Sequence, residues 1–162
     1  MKTIEYRTVD KSSWPRGPWD DEPDKKQWPD ATTGLPCMIV RNPRYGNLCG
    51  YVGVTAGHPL YGKSYSDEQI NISVHGSLTF SDGCDHGPEE TSICHIPGDG
   101  EPDDVFWFGF DCAHAFDLSP GMAAMFKGVG LTHTPFNRDT YRTMEYVENE
   151  VRNLAAQLAA LT

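Results

Sequence analysis

Cys37-Met38-Ile39-Val40-Arg41, Asn42-Pro43-Arg44-Tyr45-Gly46-Asn47 and Leu48-Cys49-Gly50-Tyr51-Val52-Gly53-Val54 follow one another without a break. Two runs of β-branched, aromatic and sulfur-bearing residues flank a segment of Asn, Pro and Gly turn chemistry, which predicts a β-hairpin. Downstream, Ile72 to Phe80 and Val105 to Phe110 read as further strands. Val105-Phe106-Trp107-Phe108-Gly109-Phe110 is apolar on both alternations, as expected of a central strand covered on both sides. Between these two strands lies Ser81 to Asp104, rich in Gly, Pro and acids. A loop of that length in a small domain is functional or ligand-stapled.

The carboxyl-terminal segment carries the clearest periodicity. Tyr141, Met144, Val147, Val151, Leu154, Leu158 and Leu161 recur in steps of three and four, one apolar stripe of a long helix. Asn137 is the expected N-cap, with Phe136 and Tyr141 at the staple positions. The stripe must bury itself against the sheet or against a second subunit, so a homodimer through this helix is one expectation. Residues 1–36 hold three of the four tryptophans without period 2 or 3.6, and read as a Trp/Pro-rich arm whose indoles pack over the core. The expectation is a single α+β domain over residues 1–162. It comprises the arm (1–36), a mostly antiparallel sheet with acidic loops (37–136) and the terminal helix (137–161).

Charge bounds the function. The 162 residues carry a formal net charge of -10. Between Lys63 and Lys127 no lysine or arginine occurs, while Asp67, Glu68, Asp82, Asp85, Glu89, Glu90, Asp99, Glu101, Asp103, Asp104, Asp111 and Asp117 do. Binding to a nucleic-acid backbone wants a basic stripe, and none is visible. No apolar run is long enough to span a membrane. The first residues lack the apolar run of a signal peptide, so the expected compartment is the cytoplasm.

The same acidic segment holds four of the six histidines: His75, His86, His95 and His114. Carboxylates and imidazoles with no cationic side chain among them suit a bound cation. The leading assignment is a divalent metal, zinc, held by His75, Asp111 and His114 with His95 as a fourth ligand. Asp117 is then the proton-handling catalytic group. A competing assignment closes a structural zinc with Cys84, His86, Cys94 and His95. Each residue also has a plain structural reading: a histidine in a strand is commonly a hydrogen-bonded core residue, and an acidic loop is commonly just solvated. The five cysteines, with no C-x-x-C pair and no export signal, read as thiols or metal ligands rather than a disulfide framework. Cysteine nucleophiles at Cys49 or Cys112 rank lower, because Cys49 reads as mid-strand with no cation to lower its pKa. His133-Thr134 is a poor half-match to the paired H-x-T pattern of two-histidine phosphoesterases.

Val74-His75-Gly76-Ser77-Leu78-Thr79-Phe80, Ile93-Cys94-His95 and Trp107-Phe108-Gly109-Phe110-Asp111-Cys112-Ala113-His114-Ala115-Phe116-Asp117 resemble a family of hypothetical proteins from bacteriophages and prophages. Thr33-Gly34-Leu35-Pro36-Cys37 and Leu48 to Val54 share in the resemblance, which runs from about Gly17 to Asp117. Two departures stand out, Ser77 and Phe116, at positions where that pattern has glycine. The resemblance implies a phage-encoded protein in the host cytoplasm and no particular activity. The function expected is a small metal-dependent hydrolase acting on a phosphoester or nucleotide. The alternative is a non-catalytic phage protein that binds a small molecule or inhibits a host protein, with at most a structural zinc.

Overall fold

The computed structural model describes residues 1–130 and 138–162. Six strands form one sheet: β1 (Ile4–Tyr6), β2 (Lys25–Pro29), β3 (Pro36–Arg41), β4 (Leu48–Val54), β5 (Phe80–Asp82) and β6 (Phe106–Asp111). Their order is β1-β2-β3-β4-β6-β5 and every pair is antiparallel. Two helices follow, α1 (Pro120–Gly128) and α2 (Met144–Ala159). This is an α+β fold with an antiparallel sheet and a helix at its carboxyl-terminal end.

The hairpin forms as expected, with Val40 opposite Cys49 and Met38 opposite Tyr51. Side-chain alternation then sorts the sheet into two faces. Cys37, Ile39, Val52, Val54, Phe108 and Phe110 face α2, which buries Val147, Val151, Leu154 and Leu158 against them. The apolar stripe of α2 is thus taken up by the sheet of its own chain. Gly50 permits this approach: a Cβ there would sit 2.6 Å from the Phe110 ring and 2.7 Å from Val151 Cγ2. Met38, Tyr51 and Trp107 face the other way and are buried with Val105, while Phe80 and Ile93 pack against them. β6 therefore lies between β4 and β5 with apolar cover on both sides.

Four expectations need correction. The arm is not separate from the sheet: β1 and β2 fall within residues 1–36, and Lys25 and Gln27 on β2 are both buried. Their side chains hold the acidic loop. Lys25 Nζ donates to the backbone oxygens of Glu89 and Cys94, and Gln27 exchanges hydrogen bonds with the backbone of Ile96. Residues 72–79 form no strand. The amide of Ser73 donates to Gln157 Oε1 at 2.8 Å, its oxygen accepts from Asn153 and Gln157, and the amide of His75 donates to Glu150 Oε2 at 3.0 Å. Side chains of α2 thus take the partners a strand would have used, while Ile72 and Val74 still pack against the core.

The terminal helix starts at Met144 rather than after Asn137. Thr143 is its N-cap and accepts from the amide of Tyr146. Tyr141 is held outside the helix by Arg41 Nη1 at 2.7 Å and Glu22 Oε1 at 2.5 Å, and Glu22 also accepts from the amide of Met144. Thr140 is extended, bonded to the backbone of Phe116 and Leu118. The expected cap and staple at Phe136 and Asn137, and the His133-Thr134 pair, lie outside the described residues. Finally, Cys84 and Cys94 are joined by a disulfide, so the cysteines are not all thiols; their Cα atoms are 4.8 Å apart. No helix among the described residues is long and apolar enough to cross a membrane.

Candidate functional site

β6 ends at Asp111, and the chain turns through Cys112-Ala113-His114 to Asp117. On the α2 side it meets the loop carrying His75. Four of the five residues picked from sequence gather here. His75 Nε2 lies 2.7 Å from Asp117 Oδ2, and His114 Nε2 lies 3.3 Å from Asp111 Oδ1. The two imidazole centroids are 6.1 Å apart. Gly76 makes this possible: its φ is +65°, and a Cβ there would fall 2.1–2.2 Å from atoms of the His114 ring.

Ser77 and Phe116 have φ of +70° and +72°. That is the left-handed region which glycine enters without steric cost.

The four residues form an inner and an outer pair. The inner side chains are almost closed off, His75 at 12% exposure and Asp117 at 1%. Asp117 accepts from His75 Nε2, from Arg142 Nε at 2.8 Å and from the amide of His114 at 3.1 Å. Burial alone would raise its carboxyl pKa; Arg142, His75 and the His114 amide together outweigh burial and hold it below the ordinary carboxylate value. Because Nε2 of His75 faces a carboxylate, that nitrogen carries the proton. Nδ1 then receives the Tyr146 hydroxyl at 2.8 Å. Burial and Glu150 raise the Tyr146 pKa, keeping the phenol protonated as a donor. Both ring nitrogens of His75 and both oxygens of Asp117 are therefore committed.

The outer pair is more open, His114 at 35% exposure and Asp111 at 31%. Asp111 is fixed by Thr79 Oγ1 at 3.1 Å and by the amide of Ala113 at 3.0 Å. The contact from Asp111 to His114 Nε2 lacks hydrogen-bond alignment. That nitrogen is covered from solvent yet has no hydrogen-bond partner among the described residues. Within this cluster only Asp111 and His114 have donor atoms to spare, one short of the three protein ligands of a catalytic zinc site.

His95 is elsewhere. It packs edge-on against Trp107 with centroids 5.4 Å apart, on the sheet face opposite α2. Trp107 stands four residues before Asp111 on β6, about 13 Å at the rise of a strand, so a side chain packed on Trp107 is too far along the sheet to join ligands at Asp111 and beyond. Burial lowers the His95 pKa. The predicted nucleophiles are likewise unsuited. Burial pushes the Cys49 thiol up to about 12, and raises Cys112 further.

Sequence reading missed Arg142, Tyr146 and Glu150. Tyr146 and Glu150, four apart on α2, lie on one helix face, which is the available signal; Arg142 precedes the N-cap and no periodicity marks it.

A second group, Cys84, His86 and Cys94, brings three ligand-type atoms within 4.8 Å of one another, so it could hold a metal; here its cysteines are joined by the disulfide. His95 borders the same cavity, of about 340 Å³. Comparison of the chain with protein-family models, with curated proteins and with solved structures finds no match.

Proposed function

We propose that this chain is a hydrolase in which His114 and Asp111 take a proton from a substrate-attacking water and deliver one to the leaving group. His75, Asp117, Arg142 and Tyr146 form the rigid backing that fixes their loop. The observation that carries the reading is the unpartnered Nε2 of His114, in a cluster whose neighbouring polar atoms are committed. A buried polar atom without a partner calls for an explanation, and a bound water or substrate supplies one. General acid–base work by positioned side chains of this kind is worth about 10²–10⁴ in rate.

The substrate class follows from charge. Asp111, Asp117 and Glu150 surround the cluster and Asp117 already engages Arg142, so among the described residues no unpaired cation is left there for an anionic phosphoester. An uncharged ester or amide fits better than the phosphoester or nucleotide expected from sequence. The metal of this proposal is zinc, seated on Cys84, His86 and Cys94, because thiolate and imidazole donors suit that ion. The setting is the cytoplasm of a phage-infected host, where thiols stay reduced.

The test compares p-nitrophenyl acetate with p-nitrophenyl phosphate as substrates of the wild-type chain and of its His114→Gln and Asp111→Asn variants. Ester turnover that falls about 10²-fold or more in both variants, with no phosphatase activity, supports the proposal. Equal ester rates in all three proteins, or faster phosphoester than ester turnover, refutes it.

One observation favours the second reading, a small-molecule binding protein. A cavity of about 270 Å³ opens between Val9, Val40, Tyr51 and Ile93, with Asp85 and Glu90 at its wall. Thr8, Asn42 and Thr91 also line it and Asp24 pairs with Arg41 at its wall, which leaves Asp85 and Glu90 to favour a cationic ligand.

A further inference from the structure

The disulfide loop has features that a plain covalent staple does not need. The amide of His86 donates to both sulfurs, to Cys84 Sγ at 3.4 Å and to Cys94 Sγ at 3.3 Å, and the His86 Nδ1 stands 3.6 Å from Cys84 Sγ. Amide hydrogen bonds to sulfur favour the thiolate over the thiol. Asp85 pins the turn by accepting from the amides of Gly87 and Ile93, and Lys25 holds the backbone oxygens of Glu89 and Cys94 from below. The adjoining cavity is bordered by Glu89, Ser92, His95 and Asp103. Ser92 is 4% exposed and its Oγ has no hydrogen-bond partner among the described residues, so the cavity wall offers a polar contact that no described residue takes up. The remaining cysteines do not compete. Burial pushes Cys37 and Cys49 up to about 12 and Cys112 further, so their thiols stay protonated.

We infer that Cys84, His86 and Cys94 form a zinc site that shares its two sulfurs with the Cys84–Cys94 disulfide, so that metal enters only after reduction. A fourth position stays open to a ligand from the adjoining cavity. The inference rests on the zinc seat named above and not on hydrolysis at His114. The chemistry balances with a dithiol as reductant. Two electrons and two protons pass to Cys84 and Cys94 as the S–S bond breaks, and the dithiol closes to its own cyclic disulfide. Zinc binding then displaces the two thiol protons to solvent. Two thiolates and an imidazole with one open position is a recognised zinc arrangement.

The test reduces the full chain with dithiothreitol, removes the reagent under anaerobic conditions, and titrates with Co²⁺ followed by Zn²⁺, alongside the unreduced chain. The expected result is a sulfur-to-cobalt charge-transfer band at one metal per chain in the reduced protein alone. Zinc bleaches this band, Cys84→Ser and Cys94→Ser each abolish it, and His86→Gln weakens it. Absence of the band in reduced protein with a native circular dichroism spectrum overturns the zinc seat itself. Equal metal uptake before and after reduction leaves a metal seat but overturns the sharing of its sulfurs. A band that survives in Cys84→Ser overturns the ligand assignment. Ester turnover, measured on the same samples, reports separately on His114.

Discussion

Replacing Asp117 by Asn keeps the shape of the side chain and removes its charge, which makes it the sharpest perturbation of the inner network. One carboxylate oxygen faces His75 Nε2 and the amide of His114; the other faces Arg142 Nε. An asparagine has one oxygen, so in either orientation its NH₂ group points at a donor. One side of the network is left unpaired. A lost hydrogen bond to a charged group is worth about 1.5–3 kcal/mol, and breaking a buried ion pair costs about 3–5 kcal/mol. Arg142 is 25% exposed and partly rehydrates, which brings the expected loss to about 2–4 kcal/mol. The pH dependence carries a sign. Asp117 has a folded pKa below its unfolded one, so its stabilisation is present in full above the unfolded carboxyl value of about 4. It is lost as the pH falls through the depressed folded value. Urea denaturation followed by tryptophan fluorescence, from neutral to acid pH, should show the two proteins well apart at neutral pH and converging in acid. A difference below about 1 kcal/mol at neutral pH, or parallel acid limbs, would refute the assigned role of Asp117.

Other perturbations test separate parts of the structure. Phe116 is 67% exposed at φ +72°, so Phe116→Gly should stabilise by up to about 1 kcal/mol while Phe116→Ala, which keeps the strained φ, should not; thermal melts of both decide this. Gly50→Ala drives a methyl into Phe110 and Val151 and should cost about 1–3 kcal/mol in the same assay, whereas no loss would mean that α2 sits further from β4. Lys25→Met leaves the oxygens of Glu89 and Cys94 unpaired, and hydrogen exchange should quicken over residues 84–96 while β3 and β4 stay protected.

The elements legible in the sequence were those whose causes are local. The hairpin of β3 and β4 rests on its own turn chemistry, β6 on its unbroken apolar run, and the stripe of α2 on its own period. The start of α2 was not legible, because Glu22 and Arg41 decide it from more than 90 residues away by holding Tyr141 and the amide of Met144. Residues 72–79 kept the apolar spacing of a strand, but Asn153, Gln157 and Glu150 took up the backbone groups of Ser73 and His75. In the candidate site, the crowding of histidines and acids pointed to His75, Asp111, His114 and Asp117 as a group. It could not separate His95, whose place depends on the acidic loop packing it against Trp107, four residues along β6 from Asp111. Nor could it reveal that Arg142 and Tyr146 already satisfy the inner pair.

The most direct measurement is a long-range ¹H–¹⁵N correlation spectrum of the histidine rings at neutral pH. His75 should appear as the Nε2–H tautomer, with a slowly exchanging ring proton and a contact to Tyr146, while the His114 ring shows no such protected bond. A freely exchanging His75 ring without a Tyr146 contact would contradict the inner network, and with it the backing on which the proposed roles of His114 and Asp111 depend.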